Sequence, residues 1–259
     1  MTELSLGNQS VKIDKGELVG YQVDGYEVIH QKGSPGWRNA DTEMFPIIGP
    51  TNEANFRVKT LKGEAIQDQH GLLRELSYTL ESHTAYSAVY EKKYTKNTAV
   101  KNSKYPAKSS EELLGWPYSF KFQKHFLVTP EGLEISFVIS GEDTMPFMLG
   151  YHPAFKLRTA LPTIDTGEKV ISLKQVKAVG NRALPVLNCE RITLIEEKKV
   201  HLKTEGFGNF MLWTEVDNMV CIEPISFYPY AVTQEDLSSG FMKLSTDKKV
   251  FKVFISVES

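Results

Sequence analysis

Residues 120–139 read FKFQKHFLVTPEGLEISFVI, and this stretch decides the fold class. Apolar side chains occupy nearly every second position in Phe120–Val128 and again in Leu133–Ile139. A period of two is typical of a strand with one buried face and one wetter face. Thr129–Gly132, between the two halves, has the composition of a turn. The stretch therefore predicts an antiparallel hairpin.

The same strand pattern recurs on both sides of this hairpin. In residues 18–29 apolar positions flank Asp24-Gly25, a pair typical of a tight turn that needs positive backbone φ. Residues 251–257 alternate again. Helical signals are weak, since only residues 110–115 and 234–237 each predict one capped turn. Many short strands with few helices predict an all-β fold, a large antiparallel β-sandwich.

Composition limits the classes of function. The chain has 259 residues, 41% hydrophobic and 24% charged, as in ordinary globular proteins, and nothing divides it, so we expect one domain over residues 1–259. Thirty basic and 32 acidic residues give a net charge of -2, which does not favour nucleic acid or anionic membranes as partners. Neither a leader nor a bilayer-spanning stretch is visible, so a cytoplasmic location is expected.

The two cysteines, Cys189 and Cys221, are too few for a disulfide framework. Neither lies in a spacing typical of a metal site. We therefore expect two buried thiols and no bound metal.

Three short segments place polar groups among residues that otherwise suit a strand. His70 precedes Gly71, whose missing side chain permits close backbone approach, and Arg74 follows. His152 ends an apolar strand, and the proline after it restricts its backbone, which suits an imidazole that points into a pocket. Glu223 lies inside an apolar run, where an unpaired ionised carboxylate costs much free energy.

Each of these residues also has a purely structural explanation. His70 could be a satisfied histidine in a surface loop, and His152 a core histidine at the end of a strand. Glu223 could form an inward ion pair that fixes the register of its strand. These alternatives remain open from the residues alone.

Taken in order, four segments resemble the motifs of the aldose 1-epimerase (galactose mutarotase-like) family, especially its shorter bacterial branch. They are Met44–Gly49, Gln69–Gly71 with Arg74, Gly150–Pro153 and Cys221–Pro224. The resemblance implies the twisted antiparallel β-supersandwich of galactose mutarotase, with a sugar in an open cleft on one sheet. It also implies an isomerase that interconverts the α and β anomers of a free aldose.

The resemblance further implies roles for individual residues. His152 would be the general acid that protonates the ring oxygen, and Glu223 the general base that takes the proton of the anomeric hydroxyl. His70 would bind the sugar near its ring oxygen, and Arg74 would support the loop at the substrate. Such ring opening needs two proton transfers at each step and no metal or other cofactor.

One position departs from the family pattern. The family usually has an arginine directly after the FP-x-x-G segment, where it reaches sugar hydroxyls, whereas Pro50 follows Gly49 here. Arg38, Arg57 and Lys124 are candidates to replace it.

Aromatic side chains are expected to stack on the apolar faces of the sugar. The candidates, headed by Trp37 and Trp213 as substrate-binding residues, also include Trp116, Phe227 and Tyr228. The expected partner is a small aldose bound by a monomer or weak homodimer. Three alternatives remain: a non-catalytic sugar-binding protein of the same fold, an epimerase for a phosphorylated hexose, and a glycoside hydrolase. Hydrolysis usually requires two carboxylates, and Glu223 has no obvious carboxylate partner in the sequence.

Overall fold

Antiparallel strands make up most of the protein, as the alternating sequence predicts. The computed structural model describes residues 1–180, 182–245 and 247–258. In chain order the strands are β1 Thr2–Leu6, β2 Gln9–Asp14, β3 Glu17–Val23, β4 Tyr26–Glu27, β5 Glu43–Met44, β6 Arg57–Thr60, β7 Gly63–Ile66, β8 Thr79–His83, β9 Ser87–Tyr94, β10 Val100–Lys101, β11 Leu113–Leu114, β12 Phe120–Thr129, β13 Gly132–Gly141, β14 Pro146–Phe147, β15 Gly150–Tyr151, β16 Ala154–Lys156, β17 Thr163–Asp165, β18 Val170–Ser172, β19 Leu184–Val186, β20 Arg191–Ile195, β21 Lys199–Glu205, β22 Asn209–Trp213, β23 Met219–Ile225, β24 Met242–Lys243 and β25 Lys249–Val257. The helical elements are α1, Leu173–Ala178, and 3₁₀ turns at Asn52–Ala54, Leu72–Glu75, Pro229–Ala231 and Gln234–Gly240.

Two larger sheets dominate the part of the chain that the structure describes. Nine strands form one sheet in the order β18-β17-β20-β21-β25-β13-β12-β9-β8, and six strands form the other, in which β19-β22-β23-β15-β5 are neighbours and β16 also pairs with β23. A four-stranded sheet, β1-β2-β3-β4, lies at the amino-terminal end of the chain. The paired strands are antiparallel throughout these sheets, which is the predicted fold class.

Both predicted hairpins are confirmed. β12 and β13 pair from Phe120 opposite Gly141 down to Thr129 opposite Gly132, which leaves a two-residue turn. Between β3 and β4, Asp24 has φ 51° and Gly25 has φ 76°. This turn needs two consecutive positive φ values, and aspartate followed by glycine tolerates them at low cost.

The hydrophobic core lies between the two larger sheets. The rings of Phe137 in β13 and Tyr151 in β15 have centroids 5.0 Å apart, so the sheets contact each other directly. Along β23, Val220 and Ile222 belong to this core, whereas Cys221 packs in a separate cluster on the opposite face of the sheet. Successive side chains of β23 therefore point alternately into the main core and into a different environment on the opposite face of the sheet.

Lys124 is part of a buried charge cluster within this core and does not replace the family arginine. Its Nζ lies 2.6 Å from Asp41 Oδ2 and 2.7 Å from Glu43 Oε1, and its side chain is 0% exposed. The Tyr151 hydroxyl donates to the same Asp41 oxygen at 2.7 Å. Two carboxylates hold the ammonium group inside the protein, so this candidate was wrong.

Of the predicted helical turns, one is confirmed and one is wrong. Residues 234–237 begin the 3₁₀ turn Gln234–Gly240, but no side chain in the described part of the chain makes the expected capping hydrogen bond. Residues 110–115 instead contain β11, because their backbone groups bond to distant segments: the Asn102 N–H donates to the Glu112 carbonyl at 2.9 Å. The short helix α1 was missed, although Ser172 and Gln175 form a capping box that the sequence displays. Among the described residues, no helix combines the length and apolarity that crossing a bilayer requires.

Candidate active site

Strand register brings His152 and Glu223 together. Ala154 of β16 pairs with Cys221 of β23, and continuing that antiparallel register by two residues places His152 opposite Glu223. Directly opposite residues project from the same face of a sheet. The two side chains therefore meet on the face that points away from the main core.

Local backbone bonds hold His152 in this position. Its N–H donates to the Thr42 carbonyl at 2.8 Å, and the Thr42 N–H donates back to the His152 carbonyl at 3.2 Å. On one side, the ring of Trp37 lies 4.1 Å from the imidazole, centroid to centroid. Pro153 interrupts strand pairing on the Glu223 side, since proline has no N–H to donate. The imidazole is thus fixed between an indole ring and a carboxyl group.

The two side chains form a close, buried pair. His152 Nε2 lies 3.3 Å from Glu223 Oε1. His152 is 8% exposed and Glu223 only 1%. Among the described residues, neither Glu223 Oε1 nor His152 Nδ1 has a hydrogen-bond partner of good geometry. Buried polar atoms without partners are costly, and they are frequent where a ligand supplies the missing bonds.

Burial shifts both pKa values toward the neutral forms. Desolvation, with a smaller contribution from the nearby Arg74 charge, lowers the pKa of His152 to about 3. Desolvation raises the pKa of Glu223 well above its ordinary value. Without a ligand, burial therefore favours an uncharged imidazole beside a carboxyl group that keeps its proton.

His70 faces the pair as a neutral hydrogen-bond donor. The Gly49 N–H donates to His70 Nδ1 at 3.2 Å, which leaves the ring proton on Nε2. Burial, followed by the charge of Arg74, lowers the pKa of His70 well below its usual value. The rings of His70 and His152 have centroids 6.0 Å apart.

Gly71 explains why this loop can approach so closely. Its φ is +77°, and a Cβ there would lie 2.3 Å from the Phe45 carbonyl oxygen. Arg74 supports the same loop, because its Nη1 donates to the Gln69 carbonyl at 3.2 Å. The predicted tolerance of Gly71 for close backbone approach is therefore confirmed.

An open cleft of about 1360 Å³ joins these residues. All six site residues predicted from the sequence line it, namely Trp37, His70, Arg74, His152, Trp213 and Glu223. The Trp213 ring lies 6.2 Å from that of His152. Two indoles beside a polar pair provide the mixture of apolar face and convergent hydrogen-bonding groups that a sugar site needs.

The other predicted aromatic residues lie outside this cleft. Trp116 is 1% exposed and packs against Tyr118 and Phe241 in the core. Phe227 packs against Gly240, and the Tyr228 hydroxyl donates to the Ala183 carbonyl at 3.1 Å. The stacking role considered for Trp116 was wrong, because the core encloses it. Phe227 and Tyr228 are half-buried and do not line this cleft, so the cleft gives their stacking role no support.

None of the three residues predicted to replace the family arginine, Arg38, Arg57 and Lys124, lines the main cleft. Pro50, which stands where the family usually has its arginine, lines the cleft as expected. Arg57 lies outside the cleft and pairs with Glu111 at 3.4 Å, whereas Arg38 lines an adjoining cleft that shares Trp37. Sequence reasoning missed Arg182, which lines the main cleft beside Tyr230 with 5.6 Å between its Cζ and the ring centroid. Nothing in the local sequence distinguishes this arginine from other surface residues.

One of the two thiols belongs to the site. Cys221 is fully buried, as predicted, whereas Cys189 is only half-buried, so that part of the expectation was wrong. The potential metal-binding atoms of His152, Cys221 and Glu223 all lie within 4.8 Å of one another. No sequence spacing predicts this cluster, because its histidine lies far along the chain from the other two residues, between β15 and β16.

Solved structures define the class of fold. A galactose mutarotase-like protein from Lactobacillus casei ATCC 334 is 16% identical, with 100% of both chains covered and a TM-score of 0.78. A galactose mutarotase related enzyme from Lactobacillus acidophilus is 19% identical over 100% of this chain and 97% of that one, with a TM-score of 0.79. An aldose epimerase homologue from C. elegans is 11% identical over 99% and 98%, with a TM-score of 0.70. The fold is therefore the galactose mutarotase-like β-supersandwich.

The sequence identifies the family within that class. Residues 57–253 match the family model described as aldose 1-epimerase. The chain belongs to the aldose 1-epimerase family. No protein of curated function matches the sequence significantly.

Proposed function

We propose that this protein is an aldose 1-epimerase that interconverts the α and β anomers of a free aldose by acid–base opening and closing of the ring. One observation carries the proposal: an imidazole and a carboxyl group, 3.3 Å apart, line a cleft with two indole rings. A protein that only binds sugar has no need of a buried acid–base pair. Family membership supports the same chemistry.

The pair can move the two protons that ring opening requires. As Glu223 accepts the proton of the anomeric hydroxyl, His152 donates one to the ring oxygen; the bond from C1 to the ring oxygen breaks and C1=O1 forms. Rotation about C1–C2 presents the other face of the carbonyl. Reverse transfers then close the ring as the opposite anomer, and each positioned group contributes ~10²–10⁴-fold.

The pair carries one proton before and after each step. In the free protein, burial favours that proton on Glu223. The proton passes to His152 once the carboxyl group turns into hydrogen-bonding geometry with Nε2, which lies 3.3 Å from Oε1, and sugar hydroxyls in the cleft help to solvate the resulting carboxylate and imidazolium. Ring opening returns the proton to Glu223, so turnover requires no net proton uptake.

His70 is proposed to bind the substrate. Its Nε2–H is directed by the Gly49 hydrogen bond to Nδ1, which makes it a donor to the ring oxygen or a neighbouring hydroxyl. We propose that Trp37 and Trp213 contact the apolar faces of the sugar, while Arg74 holds the His70 loop.

A phosphorylated hexose is the second candidate substrate. The cleft lining includes four cationic side chains, which the sequence did not place together: Arg74, Lys104, Lys108 and Arg182. Acidic residues such as Glu53 and Glu215 line the same cleft and oppose an anionic substrate. The mixed charge favours the neutral sugar.

Polarimetry tests the proposal directly. Freshly dissolved α-anomers of glucose, galactose, xylose and mannose should approach equilibrium faster with the protein than in buffer, and hexose 6-phosphates should be accelerated less. Binding of these sugars without any acceleration would instead identify a carbohydrate-binding protein. A rate enhancement confined to the phosphates would select the second candidate.

A further inference from the structure

We propose that His152, Cys221 and Glu223 form a binding site for Zn²⁺ or a similar divalent transition metal ion, and that the bound ion blocks the sugar site. Binding is independent of the proposed function, whereas the effect on turnover rests on it. The three side chains offer an imidazole nitrogen, a thiolate sulfur and a carboxylate oxygen. These are the three ligand types that Zn²⁺ prefers in proteins.

The distances suit a tetrahedral ion. The candidate ligand atoms lie within 4.8 Å of one another. Two ligands at about 2.0 Å from a tetrahedral zinc ion are separated by about 3.3 Å, which is the distance between His152 Nε2 and Glu223 Oε1. Cys221 precedes Glu223 by two residues in β23, so the two side chains share a face of the strand. The Cys221 sulfur completes three ligands when it lies about 3.5 Å from the other two atoms, the separation that a tetrahedral site sets between sulfur and nitrogen or oxygen.

Unsatisfied polar atoms point to a ligand at this place. Glu223 Oε1 is buried and lacks a hydrogen-bond partner among the described residues, although its residue is 1% exposed. Cys221, which is 0% exposed, packs with Ala154 and Met219, and Trp37 and Trp213 cover that cluster. A cation would compensate the desolvated oxygen, and the apolar surroundings would strengthen its attraction to the ligands.

Two features predict an exchangeable, inhibitory ion. His152 and Glu223 line the cleft, so a fourth coordination position faces the space that the sugar would occupy. His152 Nδ1 has no acceptor among the described residues, whereas the ligand histidines of resident zinc sites almost always donate their second N–H. Binding displaces the thiol and carboxyl protons to solvent and involves no oxidation or reduction.

Co²⁺ is the spectroscopic probe for this site, because a cobalt–thiolate bond gives a near-ultraviolet charge-transfer band. The protein, treated with a chelator and a thiol reductant and then freed of both, is titrated with Co²⁺ alone. We expect the band to saturate at one ion per chain and to disappear when Zn²⁺ is added. Absence of a band at millimolar Co²⁺ would overturn the proposal.

Matched cysteine variants assign the ligand. Cys189→Ala leaves Cys221 as the remaining thiol and should keep the band, whereas Cys221→Ala should lose it while circular dichroism still shows folded protein. A band lost in Cys189→Ala would refute the assignment to Cys221. This result needs only the Cys189→Ala protein, so the test holds even where Cys221→Ala does not fold.

Turnover gives a second, separate readout. Saturating Zn²⁺ should slow mutarotation by ~10²-fold, because it occupies both groups of the acid–base pair, and a chelator should restore the rate. Mutarotation that Zn²⁺ leaves unchanged, in protein that shows the cobalt band, would overturn the blocking role. Metal-free protein that shows no mutarotation, although it gives the cobalt band on titration, would refute the proposed function and leave the metal site standing.

Discussion

Glu223→Gln separates catalysis from binding and from structure. Glutamine keeps the size and hydrogen-bonding capacity of the side chain but has no basic oxygen. Because the acid–base pair loses one member, we expect mutarotation to fall by ~10²–10⁴-fold. Ground-state affinity for the sugar should change little, since the lost interaction is made in the transition state.

Glu223→Gln should lose mutarotation activity but gain stability. Burial raises the pKa of Glu223, and His152 and Cys221 are the titratable groups that share its cluster. The folded protein therefore keeps a proton that the unfolded chain releases above pH ~4.3. Wild-type stability then decreases by up to ~1.4 kcal/mol per pH unit from there up to the folded-state pKa. Glutamine does not ionise, so the variant should be the more stable protein at neutral pH.

Three measurements on one preparation of Glu223→Gln distinguish a catalytic role from a binding or structural one. They are the polarimetric rate, the sugar affinity from tryptophan fluorescence, and urea unfolding at several pH values. Glu215→Gln is the matched control, since Glu215 is an exposed carboxylate of the same cleft. It should keep a rate near that of the wild type. Turnover of Glu223→Gln within a few-fold of wild type would refute the general-base role. Lost stability with activity that follows the folded fraction would identify a structural ion pair instead.

Four further outcomes are expected. His152→Ala should lose nearly all enzyme-dependent mutarotation with a melting temperature within a few degrees of wild type; an unfolded variant whose soluble fraction stays active would show a structural role. Lys124→Met should cost roughly 3–5 kcal/mol in urea unfolding, because it leaves Asp41 and Glu43 buried without their cation; a loss below about 1 kcal/mol would contradict this. Burial lowers the pKa of Lys92 to about 8, so between pH 8 and ~10.4 only the unfolded chain keeps this proton. The free energy of unfolding of wild type, measured relative to Lys92→Met, should therefore rise by roughly 3 kcal/mol over that range. A difference that does not change with pH would disprove this prediction. Dialysis against a chelator should not lower the mutarotation rate, and a loss that divalent ions restore would count against metal-independent ring opening.

The sequence determined the local structure of this protein because strand periodicity and turn chemistry act over a few residues. The alternation in residues 120–139 predicted the β12–β13 hairpin, and Asp24-Gly25 predicted the turn that ends β3. The polar residues of the site were also visible, since His152 and Glu223 interrupt apolar strands. Residues 110–115 were misjudged because their backbone partners lie elsewhere in the chain.

Only the tertiary structure decided which strands are neighbours, and therefore what each side chain touches. Periodicity assigns a residue to one face of its strand, but the packing of the whole sandwich selects the strand beside it. That selection places His152 3.3 Å from Glu223 and encloses Lys124 between two carboxylates. It also brings Arg182 to the cleft and His152 to Cys221 and Glu223 of β23, contacts that join segments far apart in sequence and leave no local signal.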